Sequence, residues 1–421
     1  MTSVILLTGQ YGTSHEVVAR SLCTLIQEHQ PQSTAAYYSV EDEIWDILPA
    51  DSFFELQTDR ERDTYWHRAF SRVKRKIDDA APRFAFVSVH AVYLWKKRFF
   101  SCLDWDRLLT IPVRVILTLI DDVYDVHVRI ASQQAADGGR IPDERLSLQE
   151  ILGWRSREIQ TCNLLAKHLR VNPHWFPTTE RFLRDGAEAP EDAGINVREL
   201  GQVFGTPCDH FVISIKQEAN DFYRLLFDRK KVRVYASFPI SEPREKNDQD
   251  YFDKLLQWRK RIHEAFVVFD PLAIDELRFA RHANGEIDSQ LRSRWPYGLG
   301  VPIVPSVQPN DTWGLDELQS ICDGVIQQVS ERDFKLEGQA EVTAQYRPLY
   351  GRGTHGGVDA EGVFARAKGI QLHSFIPDED RRSYKAFPGN FGVNHDTEPQ
   401  LFKALKALQQ GYAKTQSNDT Y

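Results

Sequence analysis

Between residues 340 and 376 the chain changes its apolar period twice, and this constrains the fold more than any other feature. Residues 340–346 alternate apolar and polar side chains as a half-buried strand does, and Arg347-Pro348 stops the run because proline cannot donate to a ladder. A glycine-rich stretch follows, Gly353-Thr354-His355-Gly356-Gly357. Residues 362–368 then read as a short helix and 370–376 as a second strand. Strand, loop, helix, strand demands parallel pairing through a right-handed crossover. It also sets the loop at the carboxyl end of the sheet, where open α/β sheets bind ligands. Glu361 is thus delivered out of a glycine loop onto a helix start, at the end of the sheet where chemistry is done.

The same alternation runs through the rest of the chain. Residues 3–8 form a buried-type strand, and 14–30 carry Val17, Val18, Leu22, Leu25 and Ile26 at helical spacing. Further strands are expected at 35–40, 84–89, 113–119 and 210–215, with helices at 59–80 and 148–169. A helix over 217–227 and the charged run Asp228-Arg229-Lys230-Lys231 precede a new strand at 232–238. Since 421 residues exceed what one core organises, the expectation is two α/β domains, 1–228 and 229–421, each a Rossmann-like three-layer fold with a parallel sheet. In the second, helices are expected at 249–265, 316–331 and 400–410, and a strand at 266–269 ends in Asp270-Pro271. Residues 172–192 read as a surface connection, 281–313 as a lid and 377–394 as a loop.

Charge excludes several partners. A formal charge of −8 offers no global attraction to nucleic acid or to an anionic membrane, so a small molecule is the expected ligand. No segment approaches the roughly 18 apolar residues a membrane span needs, and Val4-Ile5-Leu6-Leu7 is too short for a signal sequence. Cys23, Cys102, Cys162, Cys208 and Cys322 are scattered and form no CxxC pair, as reduced thiols of a cytoplasmic protein would be.

The first half opens with Gly9-Gln10-Tyr11-Gly12-Thr13-Ser14-His15-Glu16, after a strand and before a helix, where a phosphate loop stands. A working loop ends Gly-Lys-Ser/Thr, the lysine meeting phosphate and the hydroxyl holding magnesium. Here Ser14, His15 and Glu16 take those places, so the fixed cation is lost and a carboxylate is added. With Leu119-Ile120-Asp121-Asp122-Val123-Tyr124-Asp125 at a strand end, this half resembles small P-loop nucleotide and nucleoside kinases in degenerate form. The loop is then either a remnant of that fold that serves packing or oligomerisation, or a site at which Gly9, Gly12 and Ser14 bind a nucleotide without transferring phosphate.

In the second half, the strand through Tyr235 and Ser237, the strand end Asp270 and the spacing Gly357, Glu361, Ala365 resemble the nucleoside 2-deoxyribosyltransferase-like family. That family includes base-transferring enzymes and nucleotide N-glycosidases. The resemblance covers residues 230–380. It implies a glutamate nucleophile, Glu361, oriented by Tyr235, with Ser237, Gly356 and Gly357 holding the sugar or phosphate and Asp270 contacting the base. It further implies a homo-oligomer, and the chemistry requires neither metal nor cofactor. Two departures from the family pattern, His355 six residues before the glutamate and Arg347 at the preceding strand end, suit an anion and favour hydrolysis over base exchange. The alternatives are a nucleotide-sensing module without turnover, and a nucleoside-phosphate kinase using the first half.

Overall fold

The computed structural model describes residues 2–136, 146–171, 208–228, 230–246, 248–276, 315–348, 356–377 and 392–417. The expected connection at 172–192, the expected lid at 281–313, His355 and most of the expected loop at 377–394 lie outside the described residues. The chain forms two compact α/β units that divide between Val212 and Ile213.

The first unit is built on strands β1 (Ser3–Thr8), β2 (Ala35–Ser39), β3 (Phe84–Ser88), β6 (Val113–Ile120) and β7 (Asp209–Ser214), in the order β2-β3-β1-β6-β7. Strand β1 is parallel to both β3 and β6. The strand order therefore reverses at β1, and its carboxyl end opens onto the Gly9–Ser14 turn, the position where such sheets leave a crevice. Val4, Ile5, Leu6 and Leu7 are all buried, as expected of a strand covered on both faces. A short antiparallel hairpin, β4 (Tyr93–Trp95) and β5 (Arg98–Phe100), has no counterpart in the sequence reading. It turns through Lys96 and Lys97, both at positive φ (45° and 61°), the conformation of a two-residue hairpin turn that Asn-Gly normally signals.

The second unit has β8 (Arg233–Ser237), β9 (Val267–Phe269), β10 (Val342–Tyr346), β11 (Gln371–Phe375) and β12 (Val393–His395), in the order β12-β11-β10-β8-β9 with every neighbouring pair parallel. Strand alternation assigns the two faces. Val234 and Ala236 of β8 and Val342, Ala344 and Tyr346 of β10 enter one core with Leu255, Trp258 and Ile262 of the helix Gln249–Ala265. The residues between them, Tyr235, Ser237, Thr343 and Gln345, point to the opposite face and are buried there as well. A buried sheet face carrying hydroxyls and an amide needs partners, and the helices Leu315–Glu337 and Gly356–Lys368 supply them.

Three boundaries differ from expectation. The helix around Glu361 begins at Gly356 rather than 362, so Glu361 stands in its second turn instead of at its start. The helix beginning at Leu315 continues through 332–336 to Glu337, one unbroken element where the sequence suggested an end at 331. The end of the expected loop, residues 393–394, instead forms with His395 an edge strand that is too short to show any period and is fixed by pairing with β11.

Candidate active site

Parallel β8 and β10 are neighbours whose chain connections leave in opposite directions, so the crevice of the second sheet opens at their carboxyl ends. Glu361 comes to that point on the helix that follows β10. Tyr235 Oη donates to Glu361 Oε1 (2.8 Å) and Ser237 Oγ donates to Glu361 Oε2 (2.5 Å). Both hydroxyls project from one face of β8 two residues apart, so each carboxylate oxygen receives its own donor. The carboxylate faces a cleft of about 460 Å³, within the range of small-molecule sites. Phe238, Ile240, Leu272, Ile274 and Phe334 supply its apolar wall, and Gly356 and Gly357 lie on its rim.

The electrostatics are those of a carboxylate held short of positive charge. Burial and the neighbouring Asp333 push the Glu361 carboxyl up to about 8, against the two hydroxyl donors that favour its ionised form. Tyr235 is pushed well above its ordinary value by burial and by the charge of Glu361, so it remains a donor. On the same helix as Asp333, Glu337 is fully buried and accepts from Thr343 Oγ1 (2.7 Å). Burial raises that carboxyl to about 8 as well. Arg332 is the cation of the group: it binds Asp333 (2.9 Å) and lies 3.6 Å from the Glu276 carboxylate. Buried and lining the cleft, Arg332 has no hydrogen-bond partner for Nη1 among the described residues.

Of the residues singled out in the sequence, Glu361, Tyr235, Ser237, Gly356 and Gly357 meet at this cleft. Arg347 does not line it: the guanidinium binds Asp359 of the same helix as Glu361 (2.6 Å) and tethers that helix to the end of β10. Asp270 is also turned elsewhere. It accepts from the Leu272 amide (2.8 Å), pairs with Arg259 (2.7 Å) and lies 3.2 Å from His263. Although burial opposes it, the Arg259 charge holds the Asp270 carboxyl down at about 2. His263, bracketed by Asp221 (3.4 Å) and Asp270, is raised to about 9 against its own burial. Asp333 and Glu337 were missed. Their signal was helical spacing, since 333 and 337 are one turn apart and share a face.

The glycine turn of the first unit is closed on itself. A Cβ on Gly9 would meet the Leu119 carbonyl at 2.6 Å, and Gly12 sits at φ +81°, so glycine is required at both. The Gly9 amide donates to Glu158 (3.1 Å), the Gly12 carbonyl accepts from Arg129 Nε (2.6 Å), and Ser14 makes no side-chain capping bond. Among the described residues no cluster of three or more metal-binding side chains occurs and no helix is long and apolar enough to cross a membrane. The four described cysteines are free thiols. Compared with known proteins, the chain matches no family model and no curated relative.

Proposed function

We propose that the second unit cleaves the N-glycosidic bond of a nucleoside or (deoxy)nucleotide, with Glu361 as the nucleophile and Tyr235 as the residue that orients it. The observation that carries this reading is the pair of hydroxyls, Tyr235 and Ser237, each donated to one oxygen of a carboxylate in a cleft. As the C1′–N bond breaks, its electron pair leaves with the base and C1′ gains oxocarbenium character. The ionised Glu361 then bonds to C1′, and water releases the sugar from the ester. The apolar wall of Phe238, Ile240, Leu272 and Phe334 suits a flat base.

The strand order supports the same reading, because in chain order the second sheet runs 2-1-3-4-5, the flavodoxin-like doubly wound arrangement, with Glu361 at its switch point. Hydrolysis is favoured over base exchange because the positions of His355 and Arg347 lack the acidic residues of base-transferring members. We read the first unit as a kinase-like fold that no longer transfers phosphate, and the whole chain as a cytoplasmic homo-oligomer.

The test is Glu361→Gln assayed chromatographically for free base from a panel of nucleosides and their monophosphates. Base release by the wild-type chain should fall at least about a thousandfold in the variant. Equal release by both proteins would remove Glu361 from the chemistry. Ligand-dependent thermal stabilisation with no base released from any member of the panel would favour a sensing module.

A further inference from the structure

Three backbone amides in the first unit converge on one buried carboxylate. Glu158, 1% exposed on the helix Leu148–Val171, accepts from Gly9 (3.1 Å) with Oε1, from Ala91 (2.8 Å) also with Oε1, and from Val92 (2.8 Å) with Oε2. Gly9 comes from the turn after β1, and Ala91 and Val92 from the turn after β3, the strand beside it. Such a cradle of amides at the carboxyl ends of parallel strands is what proteins offer to phosphate oxygens.

The surroundings hold the cradle rigid. Trp154 Nε1 donates to the Val92 carbonyl (2.7 Å), and His90 bonds the Gly9 carbonyl through Nδ1 while its Nε2 lies 3.0 Å from Glu41. Tyr11 in turn donates to Glu41 (3.1 Å). His15 stands at the place of the phosphate-loop lysine and is 8% exposed. Its Nδ1 bonds Ser88 Oγ (2.7 Å), whereas its Nε2 has no hydrogen-bond partner among the described residues. That nitrogen is aimed into the turn, since a Cβ on Gly9 would come within 3.0 Å of it. A buried ring nitrogen left unpartnered beside the Gly9 turn marks a polar group there that the present occupant does not use.

We propose that the Gly9 and Ala91-Val92 turns form an oxyanion receptor for a phosphate group, and that Glu158 of the same chain occupies it as an internal plug. The loop is therefore intact as a receptor and closed as a site. Phosphate enters only when the carboxylate leaves, because the two anions compete for the same amides and repel one another. This inference is independent of the glycosidic reading of the second unit.

The experiment is thermal melting of the full-length chain at pH 8 in rising inorganic phosphate, against chloride of matched ionic strength, for wild type, Glu158→Ala and Glu158→Gln. Wild type should show no phosphate-specific shift. Glu158→Ala should melt lower in chloride and recover saturably with phosphate, because amides stripped of their acceptor regain one. Glu158→Gln keeps an acceptor without the charge, and should gain a smaller phosphate-dependent shift while folding as wild type does by circular dichroism. A folded Glu158→Gln chain with no shift beyond chloride would overturn the proposal. So would a wild-type chain that phosphate stabilises as strongly as the variants.

Discussion

Tyr235 does more than hold Glu361 in place. Its hydroxyl stabilises the ionised form of a carboxyl that burial keeps protonated to about 8, so on the proposed glycosidic reading it acts directly on the fraction of Glu361 able to attack at neutral pH. Tyr235→Phe removes one bond to a charged acceptor, worth about 1.5–3 kcal/mol, or roughly 10- to 100-fold in kcat. It also raises the Glu361 carboxyl further. The limb of kcat/KM that rises with pH near 8 should therefore move to higher pH in the variant, and a pH profile of base release checks both effects. At this scale the sequence was legible where chemistry and backbone direction coincide: the crossover after β10 delivers Glu361 to the carboxyl end of the sheet, while Tyr235 was named from the family resemblance, and alternation along β8 turns both Tyr235 and Ser237 toward that carboxylate. It was not legible where one charge chooses another. Arg347 reads in the sequence as a cation for a bound anion, but Asp359, twelve residues on, takes its guanidinium.

The long helix Leu315–Glu337 shows the same limit for elements. Its last six residues, Arg332-Asp333-Phe334-Lys335-Leu336-Glu337, mix charged and apolar types without an obvious stripe, because the face that Asp333 and Glu337 present is a polar site rather than a core. Strands β8 and β10 carried clear alternation and were read correctly, whereas the Lys96-Lys97 hairpin lacked the Gly or Asn that normally announces its turn. The helix Gln249–Ala265 is tied to the end of β9 by the Arg259, His263 and Asp270 ion group, with Asp270 1% and Arg259 4% exposed as side chains. Removing one member leaves the others charged and buried. Asp270→Ala should cost roughly 3–5 kcal/mol of stability, read from urea denaturation, and should weaken the second unit's transition without directly touching the cleft.

Three buried glutamates act in one direction. Glu158 is raised by burial to about 7, and Glu337 and Glu361 to about 8, so the folded chain keeps protons that the unfolded chain has already released. Stability from these groups is fully present below their ordinary value of 4.5 and is lost as pH rises through 7 and 8. His263 adds the same sign between its ordinary 6.5 and about 9, while Asp270, lowered to about 2, withdraws its contribution only at the acid end. Denaturant midpoints should therefore decline from pH 5 to pH 9, and Glu337→Gln should flatten that decline. A midpoint that climbs over this range would show that these carboxyls are ionised without penalty.

The rim of the second sheet carries one more consequence. Both its outermost strands, β9 and β12, are only three residues long. A foreign strand zipping onto either rim would find a handful of free peptide groups, too few to repay the ordering of an incoming segment. The sheet that holds Glu361 is thus poorly suited to grow by strand recruitment. A misfolding route that depends on lengthening this sheet is blunted by its own geometry.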